Sequence, residues 1–186
     1  MRRTVTPLIL LLLALSVPPA LAAQDDIVIF LVRHAEQAIN EPREVTNPRM
    51  MAEDPPLSEA GKERANLLAT VLRDAGITHI HSTDYTRTRE TARPTAERTG
   101  IDTSIYEPSD LETFATRLLS TPGTHLVVGH SDTTPELVTA LGGNPGPAIQ
   151  PLEYDRLYMV IYEHGVVRTI LLRFGEVFSG TGATRN

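Results

Sequence analysis

The hydrophobic pattern of the chain alternates between short apolar runs and segments with helical periodicity. Short runs rich in β-branched residues and bounded by turn-forming residues predict strands, at Ile27 to Val32, Ile77 to His81, Thr103 to Tyr106 and His125 to Val128. Helical spacing predicts helices from Ser58 towards Gly76 and at about Tyr85 to Arg98, Asp110 to Leu119 and Pro135 to Leu141.

The first of these helices has clear start and stop signals. Ser58 is a cap residue, acidic residues follow in the first turn, and Gly76 is a typical stop. One apolar stripe is expected to face the core, and it consists of Leu67, Leu68, Val71 and Leu72.

Regular alternation of strands and helices predicts an α/β fold, a three-layer sandwich with a mostly parallel central sheet and helices on both faces. The C-terminal stretch RLYMVIYEHGVVRTILLRF is instead typical of a hairpin that turns near His164 and Gly165. We expect this hairpin to add antiparallel strands at one edge of the sheet.

The N-terminus has the pattern of a secretory signal. Arg2 and Arg3 precede an apolar run from Leu8 to Leu15, and Ala20-Leu21-Ala22 forms a cleavage site. This predicts a signal peptide at residues 1–22, a single domain at residues 23–186, and a periplasmic or secreted protein without stable membrane insertion. The apolar run is about half the ~20 residues that a spanning helix needs.

Composition narrows the classes of partner. Removal of residues 1–22 moves the net charge from −6 to −8, because Arg2 and Arg3 are the only charges lost. An acidic domain disfavours nucleic acid as a partner, since nucleic acids attract clustered Lys and Arg. The chain has no cysteine, so disulfides and a lipid-modified cysteine are excluded.

Polar residues follow each predicted strand of the parallel sheet. Ligands of such sheets bind beyond the carboxyl ends of the strands. The residues at those ends are Arg33-His34, Ser82-Thr83, Glu107 and Gly129-His130, with Arg87 on the helix after Ser82. Two histidines, arginines, hydroxyls and a carboxylate are therefore expected around one crevice.

Three ordered motifs resemble the histidine phosphatases of the phosphoglycerate-mutase-like superfamily, branch 1. Arg33-His34-Ala35 is similar to the family's Arg-His-Gly. The segment STDYTRTRETA, from Ser82 to Ala92, is similar to the family's arginine-bearing helix motif. Val127 to His130 is similar to the family's Val-Val-Gly-His. The segment PPLSEAGKERANLLATVL resembles the family's first helix with its Leu-Ser-x-x-Gly lead-in. The resemblance spans Ile27 to about Gly142.

The resemblance implies a phosphomonoester hydrolase. His34 would attack phosphorus and become a phosphohistidine, while Arg33, Arg87 and His130 hold the phosphoryl oxygens. Arginine suits this role because its planar fork pairs two oxygens and keeps its charge. Those charges should also keep His34 neutral, and they remove the need for a metal or another cofactor.

The proton donor is less clear from the sequence. In many relatives of this family it is a Glu shortly after the third strand, which makes Glu107 the candidate by position. Asp132 and Glu36 are alternatives. Each acid also has a structural interpretation, since Asp132 could cap a helix, Glu36 could orient other groups and Glu107 could be a solvated loop residue. With Ser82 and Thr83, Asp132 and Glu36 are also candidate substrate-binding residues.

Several residues depart from the family pattern or suggest other roles. Ala35 replaces a glycine and adds a methyl group beside the nucleophile. Glu90 is expected to pair with Arg87 or Arg93 at helical spacing. His79 and His81 share one strand face and could bind a metal, but we favour packing or surface roles.

The substrate is only broadly predicted. Gln37 to Pro56 is long for a connection and is expected to shape the pocket rim, where Arg43 and Arg49 could bind a second anionic group or remain solvated. An open site would suit small phosphoesters or a phosphorylated envelope sugar. The alternatives are a non-catalytic phosphate or phosphosugar binder and a phosphohistidine-protein phosphatase.

Overall fold

A computed structural model describes residues 26–38 and 54–180. The predicted signal peptide, most of the Gln37 to Pro56 segment, and Arg43 and Arg49 lie outside these residues. Within the described part of the chain, no helix is both long enough and apolar enough to cross a membrane.

The predicted α/β fold is confirmed. Six strands form one sheet in the order β3-β2-β4-β1-β5-β6. Their bounds are β1 Ile27–Arg33, β2 His79–Ser82, β3 Thr103–Ile105, β4 Gly123–Gly129, β5 Arg156–Glu163 and β6 Val166–Arg173. The pairs β1–β4, β4–β2 and β2–β3 are parallel, whereas β1–β5 and β5–β6 are antiparallel.

In the described part of the chain, three helices connect the parallel strands, a fourth leads from β4 to the antiparallel β5, and the four lie on both faces of the sheet. They are α1 Glu59–Val71, α2 Thr86–Thr99, α3 Leu111–Leu119 and α4 Thr133–Ala140. The C-terminal hairpin turns at His164 and Gly165, as predicted.

Strand β1 lies at the centre of the core and divides it by the alternation of its side chains. Ile29 and Leu31 pack with residues of α3 and α4, including Leu118 and Leu137. Val32 faces the opposite side and packs with α1 and α2. Burial on both faces explains why β1 is a continuous apolar run and not an alternating one.

Helix α1 begins as predicted but buries a different stripe. The Ser58 hydroxyl accepts a hydrogen bond from the Gly61 N–H at 3.1 Å, which confirms the cap. Leu68 and Leu72 are buried, whereas Leu67 and Val71 are 38% and 48% exposed. The predicted stripe was therefore wrong in half its members, because Gly61 and Ala65 bring the other side of the helix against the protein.

His79, His81 and His125 form a stack between β2 and β4. Ring centroids of His125 lie 4.6 Å from His79 and 5.4 Å from His81. His125 Nε2 donates to the Thr121 carbonyl at 2.9 Å, so its Nδ1 accepts from His81 Nε2 at 3.1 Å. These are packing contacts, and no group of three or more His, Asp or Glu in the described residues could hold a metal ion.

Candidate active site

The carboxyl ends of β1 and β4 bring two histidines together. In the parallel register Arg33 lies beside Gly129, and the His34 N–H donates to the Gly129 carbonyl at 2.9 Å. His34 and His130 therefore follow neighbouring strands at the same edge, with ring centroids 5.6 Å apart. The predicted convergence of these two motifs follows from the strand register.

His34 is buried and held in one orientation. Its side chain Nδ1 lies 2.8 Å from the carbonyl oxygen of Ala35, which can only accept, so Nδ1 carries the proton. The lone pair is then on Nε2. Burial, with smaller contributions from the charges of Arg33 and Arg87, lowers the His34 pKa to about 3, so the ring is neutral at pH 7.

The alanine beside the nucleophile is buried among small and apolar residues. Ala35 is 1% exposed and packs in a small cluster with Leu57 and Ala65. Its backbone N–H donates to the Thr91 hydroxyl of α2 at 3.0 Å. The extra methyl group thus fills space between β1 and the two helices.

His130 is held by contacts to α2 and to the end of β2. Its Nε2 lies 2.9 Å from the Thr83 hydroxyl, and its Nδ1 lies 3.4 Å from a terminal nitrogen of Arg87. Since Arg87 can only donate, Nδ1 accepts and Nε2 carries the proton. Burial, and after it the charge of Arg87, lowers the His130 pKa to about 4.

Arg33 is fixed by the segment that precedes β5. One terminal nitrogen, Nη1, donates to the carbonyls of Gln150, Pro151 and Glu153 at 2.8 to 3.2 Å. The guanidinium carbon lies 4.1 Å from the ring centroid of Tyr154. Its buried Nε has no hydrogen-bond acceptor among the described residues.

Arg87 extends from the first turn of α2, where Tyr85 and Asp54 flank it. Its guanidinium carbon lies 4.5 Å from the Tyr85 ring centroid, and Nη1 lies 3.5 Å from the Asp54 carboxylate. Its buried Nε, like that of Arg33, has no acceptor within the described chain. The expected pairing of Glu90 with Arg87 or Arg93 is wrong, because Glu90 instead accepts from the Leu57 N–H at 2.7 Å.

His34, Arg87 and His130 line a pocket of about 340 Å³, called here the phosphoryl pocket, whereas Arg33 does not line it. The pocket is lined by His34, Tyr85, Arg87, Pro108, His130, Ser131, Asp132 and Thr133. A neutral imidazole and the Arg87 guanidinium are thus combined in a hollow large enough for a phosphoryl group, and Arg33 precedes His34 at the same strand end.

The three candidate acids occupy different places. Asp132 lines the phosphoryl pocket and also caps α4, accepting from the Thr133 N–H at 2.8 Å. Glu36 is held by Arg64 through both carboxylate oxygens at 2.9 and 3.0 Å. Glu107 is exposed and is absent from the pocket lining, although Pro108 beside it is present.

The two hydroxyl candidates, Ser82 and Thr83, lie outside the lining of the phosphoryl pocket. Ser82 is fully buried and donates to the Thr83 carbonyl at 2.8 Å. The Thr83 hydroxyl is buried as well and lies within hydrogen-bonding distance of Thr88 and His130. Neither lines the phosphoryl pocket, so the structure does not bring them to a substrate. Thr83 instead fixes the His130 ring.

The sequence did not indicate the roles of Tyr85, Asp54 or Tyr154. These residues contact Arg87 or Arg33 only because distant segments fold together. The sequence offered a signal for Tyr85 alone, because this aromatic residue lies two positions before the motif arginine Arg87.

The model of the histidine phosphatase superfamily (branch 1) matches residues 29–113. The resemblance to this superfamily is confirmed. The match includes His34, Arg33 and Arg87, whereas His130 and Asp132 lie beyond it.

Relatives of known sequence or structure agree with the histidine phosphatase match. A protein of Yersinia pestis named "Probable phosphoglycerate mutase GpmB" is 39% identical over 80 residues, which cover 43% of this chain and 35% of that protein. The match thus spans about a third of the length of such curated relatives.

Solved histidine phosphatases share the fold over most of the chain. The protein histidine phosphatase SixA in complex with tungstate has a TM-score of 0.62 at 15% identity, covering 79% of this chain and 97% of that one. A mycobacterial glucosyl-3-phosphoglycerate phosphatase has a TM-score of 0.56 at 16% identity, with coverage of 80% and 98%.

Proposed function

We propose that this chain is a phosphomonoester hydrolase that acts through a phosphohistidine on His34. The observation that carries the proposal is the state of the His34 ring. Its Nδ1 proton is directed to the Ala35 carbonyl, and burial keeps the ring neutral with a low pKa. A nucleophile of this kind, beside Arg33 and Arg87, suits attack on a phosphoryl group.

In the first step, the Nε2 lone pair of His34 forms a bond to phosphorus. The bond between phosphorus and the ester oxygen breaks, and the electron pair leaves with that oxygen. Arg33 and Arg87 balance the charge on the phosphoryl oxygens through their guanidinium N–H groups. The Ala35 carbonyl stabilises the imidazolium-like ring that forms, because it accepts a hydrogen bond from the Nδ1–H group.

The leaving oxygen requires a proton, and we assign this role to Asp132. It is the carboxyl group among the described residues that lines the phosphoryl pocket, whereas Glu36 is engaged by Arg64 and Glu107 lies outside. A general acid must be within reach of the proton it transfers. Geometry therefore favours Asp132 over Glu107, the candidate by position.

In the second step, water replaces His34 at phosphorus. The Asp132 carboxylate accepts a proton from the attacking water, the nitrogen–phosphorus bond breaks, and inorganic phosphate is released. The electron pair of that bond returns to Nε2, which restores the neutral ring. The same carboxyl group thus acts first as acid and then as base.

We propose that this chemistry is independent of metal ions. The Arg87 guanidinium in the pocket, with the Arg33 guanidinium near His34, provides the positive charge that a divalent cation supplies in other phosphoryl-transfer sites. Phosphatase activity should accordingly be unchanged by EDTA. A complete and reversible loss on chelation would contradict this part of the proposal.

The natural substrate is proposed only as a class, namely small phosphoesters or a phosphorylated sugar of the cell envelope. Nucleic acid is not among the proposed partners, since the chain carries a net charge of −6. Export also remains a proposal. It predicts that the protein purified from its native host begins after Ala22, which N-terminal sequencing can test.

The experiment that tests the proposed function is hydrolysis of an aryl phosphate by purified variants. We expect kcat/KM to fall about 10³-fold or more in His34→Ala, and about a hundredfold in Arg87→Ala because one set of oxyanion donors is lost. Arg89→Ala is the matched control, since Arg89 lies on the same helix and pairs with Asp84 at the surface. It should retain full activity.

The same variants separate catalysis from simple binding. A non-catalytic phosphate binder would release no phosphate and yet bind inorganic phosphate through Arg33 and Arg87. Full phosphatase activity in His34→Ala would show that hydrolysis uses another nucleophile and would reject the proposal.

A further inference from the structure

A second and larger cavity adjoins the phosphoryl pocket. It has a volume of about 740 Å³ and shares Ser131 with that pocket, while Arg33 forms part of its wall. The Tyr154 ring lies in the same wall, with its centroid 6.0 Å from that of His34. A group attached to a phosphoryl at His34 can therefore extend directly into this cavity, called here the side cavity.

One wall of the side cavity is apolar. It is formed by the segment before β5, through Ile149, Pro151, Leu152 and Tyr154. Leu152 is 65% exposed, so its side chain is accessible to a ligand in the cavity. Ligand sites in proteins commonly combine such an apolar wall with a few polar groups that fix orientation.

This wall is rigid and not a loose loop. The buried Glu153 carboxylate binds Arg156 at 2.6 Å and Arg173 at 2.6 Å. It also accepts from the Gln150 N–H at 2.9 Å, which closes the turn that presents Leu152. Because Arg33 binds three carbonyls of the same segment, the apolar wall and the phosphate-binding guanidinium are fixed relative to each other.

The charges of the side cavity disfavour a second anionic group. Arg33 is the one cation among the described residues that line it, and its Nη1 is already bound to carbonyls. Glu36 also lines the cavity and adds a negative charge, and its carboxylate is held by Arg64, which is absent from the described lining. A carboxylate or second phosphate on the substrate would find no described counter-ion there, and its desolvation would be unfavourable.

We propose that the side cavity receives the leaving group, and that the enzyme prefers phosphomonoesters of uncharged, largely apolar alcohols. The inference rests on the proposed phosphatase function and names its substrate class. In this arrangement the phosphoryl group lies at His34, and an apolar ring or chain packs against Leu152 and Tyr154.

The test compares esters that differ in apolar size or charge but have leaving groups of similar acidity. The three esters are phenyl phosphate, 2-naphthyl phosphate and 3-carboxyphenyl phosphate. The wild type should have the highest kcat/KM for the naphthyl ester and the lowest for the carboxyphenyl ester. Leu152→Ala should reduce the naphthyl-to-phenyl ratio of kcat/KM about fivefold, through lost apolar contact.

Val166→Ala is the matched control, because Val166 is 60% exposed at the start of β6 and lines neither cavity. Its naphthyl-to-phenyl ratio should equal that of the wild type. An unchanged ratio in Leu152→Ala, or a wild-type preference for the carboxyphenyl ester, would overturn the inference.

Failure of the proposed function gives a different result. If the wild type hydrolyses none of the esters, the phosphatase proposal fails, and calorimetric Kd values for the phenyl and naphthyl esters decide the role of the cavity. Tighter binding of the naphthyl ester that is lost in Leu152→Ala supports the cavity, and equal affinities refute it.

Discussion

At the scale of single residues, His34 differs from an ordinary histidine because its tautomer and its charge are both fixed. The carbonyl of its own neighbour, Ala35, selects the protonated nitrogen. Burial and two guanidinium groups remove the positive charge at neutral pH. A histidine with an unperturbed pKa near 6.5 would be partly protonated and a weaker nucleophile.

The role of Asp132 can be tested by varying the leaving group. An ester with a poor leaving group needs protonation, whereas a dinitrophenyl ester does not. We therefore expect Asp132→Asn to lower kcat for phenyl phosphate about a hundredfold and kcat for 2,4-dinitrophenyl phosphate much less. Glu107→Gln is the control, and the Asp132 assignment is wrong if this variant shows the selective loss instead.

The convergence of His34, Arg87 and His130 in one pocket was predictable from sequence, whereas their supporting contacts were not. Each of the three lies at a strand end or in the first turn of a helix within its motif. Tyr154 contacts Arg33 across more than one hundred residues of chain, and no local pattern encodes such a contact. Glu90 was misassigned because helical spacing ignores the Leu57 N–H that a separate segment brings to it.

At the scale of elements, α1 approaches the end of β1 through Gly61. A Cβ atom at this position would lie only 2.1 Å from the Glu36 carbonyl oxygen. The glycine allows Ser58 and the helix start to pack beside Glu36, whose carbonyl accepts from the Ser58 N–H at 2.9 Å. The small-residue side of α1 is therefore buried, which the hydrophobic stripe alone did not reveal.

Gly61→Ala tests this close approach through the sign of its effect. In a free helix interior, alanine is about 1 kcal/mol more favourable than glycine. Here we expect the free energy of unfolding to fall by about 1 to 3 kcal/mol, because the new methyl group forces the backbone of Glu36 away. Urea denaturation measures the difference, and a stabilised variant would contradict the packing described for α1.

At the scale of the whole molecule, buried neutral histidines link stability to pH. Burial, followed by the charges of His125, His79 and Arg117, lowers the His81 pKa from 6.5 to about 3. At a pH between these two pKa values, His81 is protonated in the unfolded state and neutral in the folded state. Stability is therefore fully present above pH 6.5 and is lost as the pH falls towards 3.

This linkage predicts the behaviour of a His81→Phe variant. Loss of the His81 contribution should reduce the drop in unfolding free energy between pH 8 and pH 5 by up to about 2 kcal/mol. Phe114→Leu is the control, because Phe114 packs on the His81 ring, with centroids 5.3 Å apart, but does not titrate. Denaturation of the control at pH 8 and pH 5 should give the same decrease in unfolding free energy as the wild type. An equally large decrease in His81→Phe would refute the linkage.

The global topology was more predictable than the substrate. Alternating strands and helices determine a parallel sheet, and the hairpin at Arg156 to Arg173 determines its antiparallel edge. The side cavity depends on how the segment before β5 folds over Arg33, and that segment has neither strand nor helix periodicity. The apolar wall of the side cavity could therefore not be predicted from the sequence pattern.

Direct detection of the phosphorylated intermediate tests the central claim. The protein is mixed with an aryl phosphate, quenched rapidly in alkali and digested, and the peptides are analysed by mass spectrometry. We predict an acid-labile, alkali-stable phosphoryl group on the peptide that contains His34, and none in His34→Ala. Stable, saturating phosphorylation of a different residue during turnover would contradict the account.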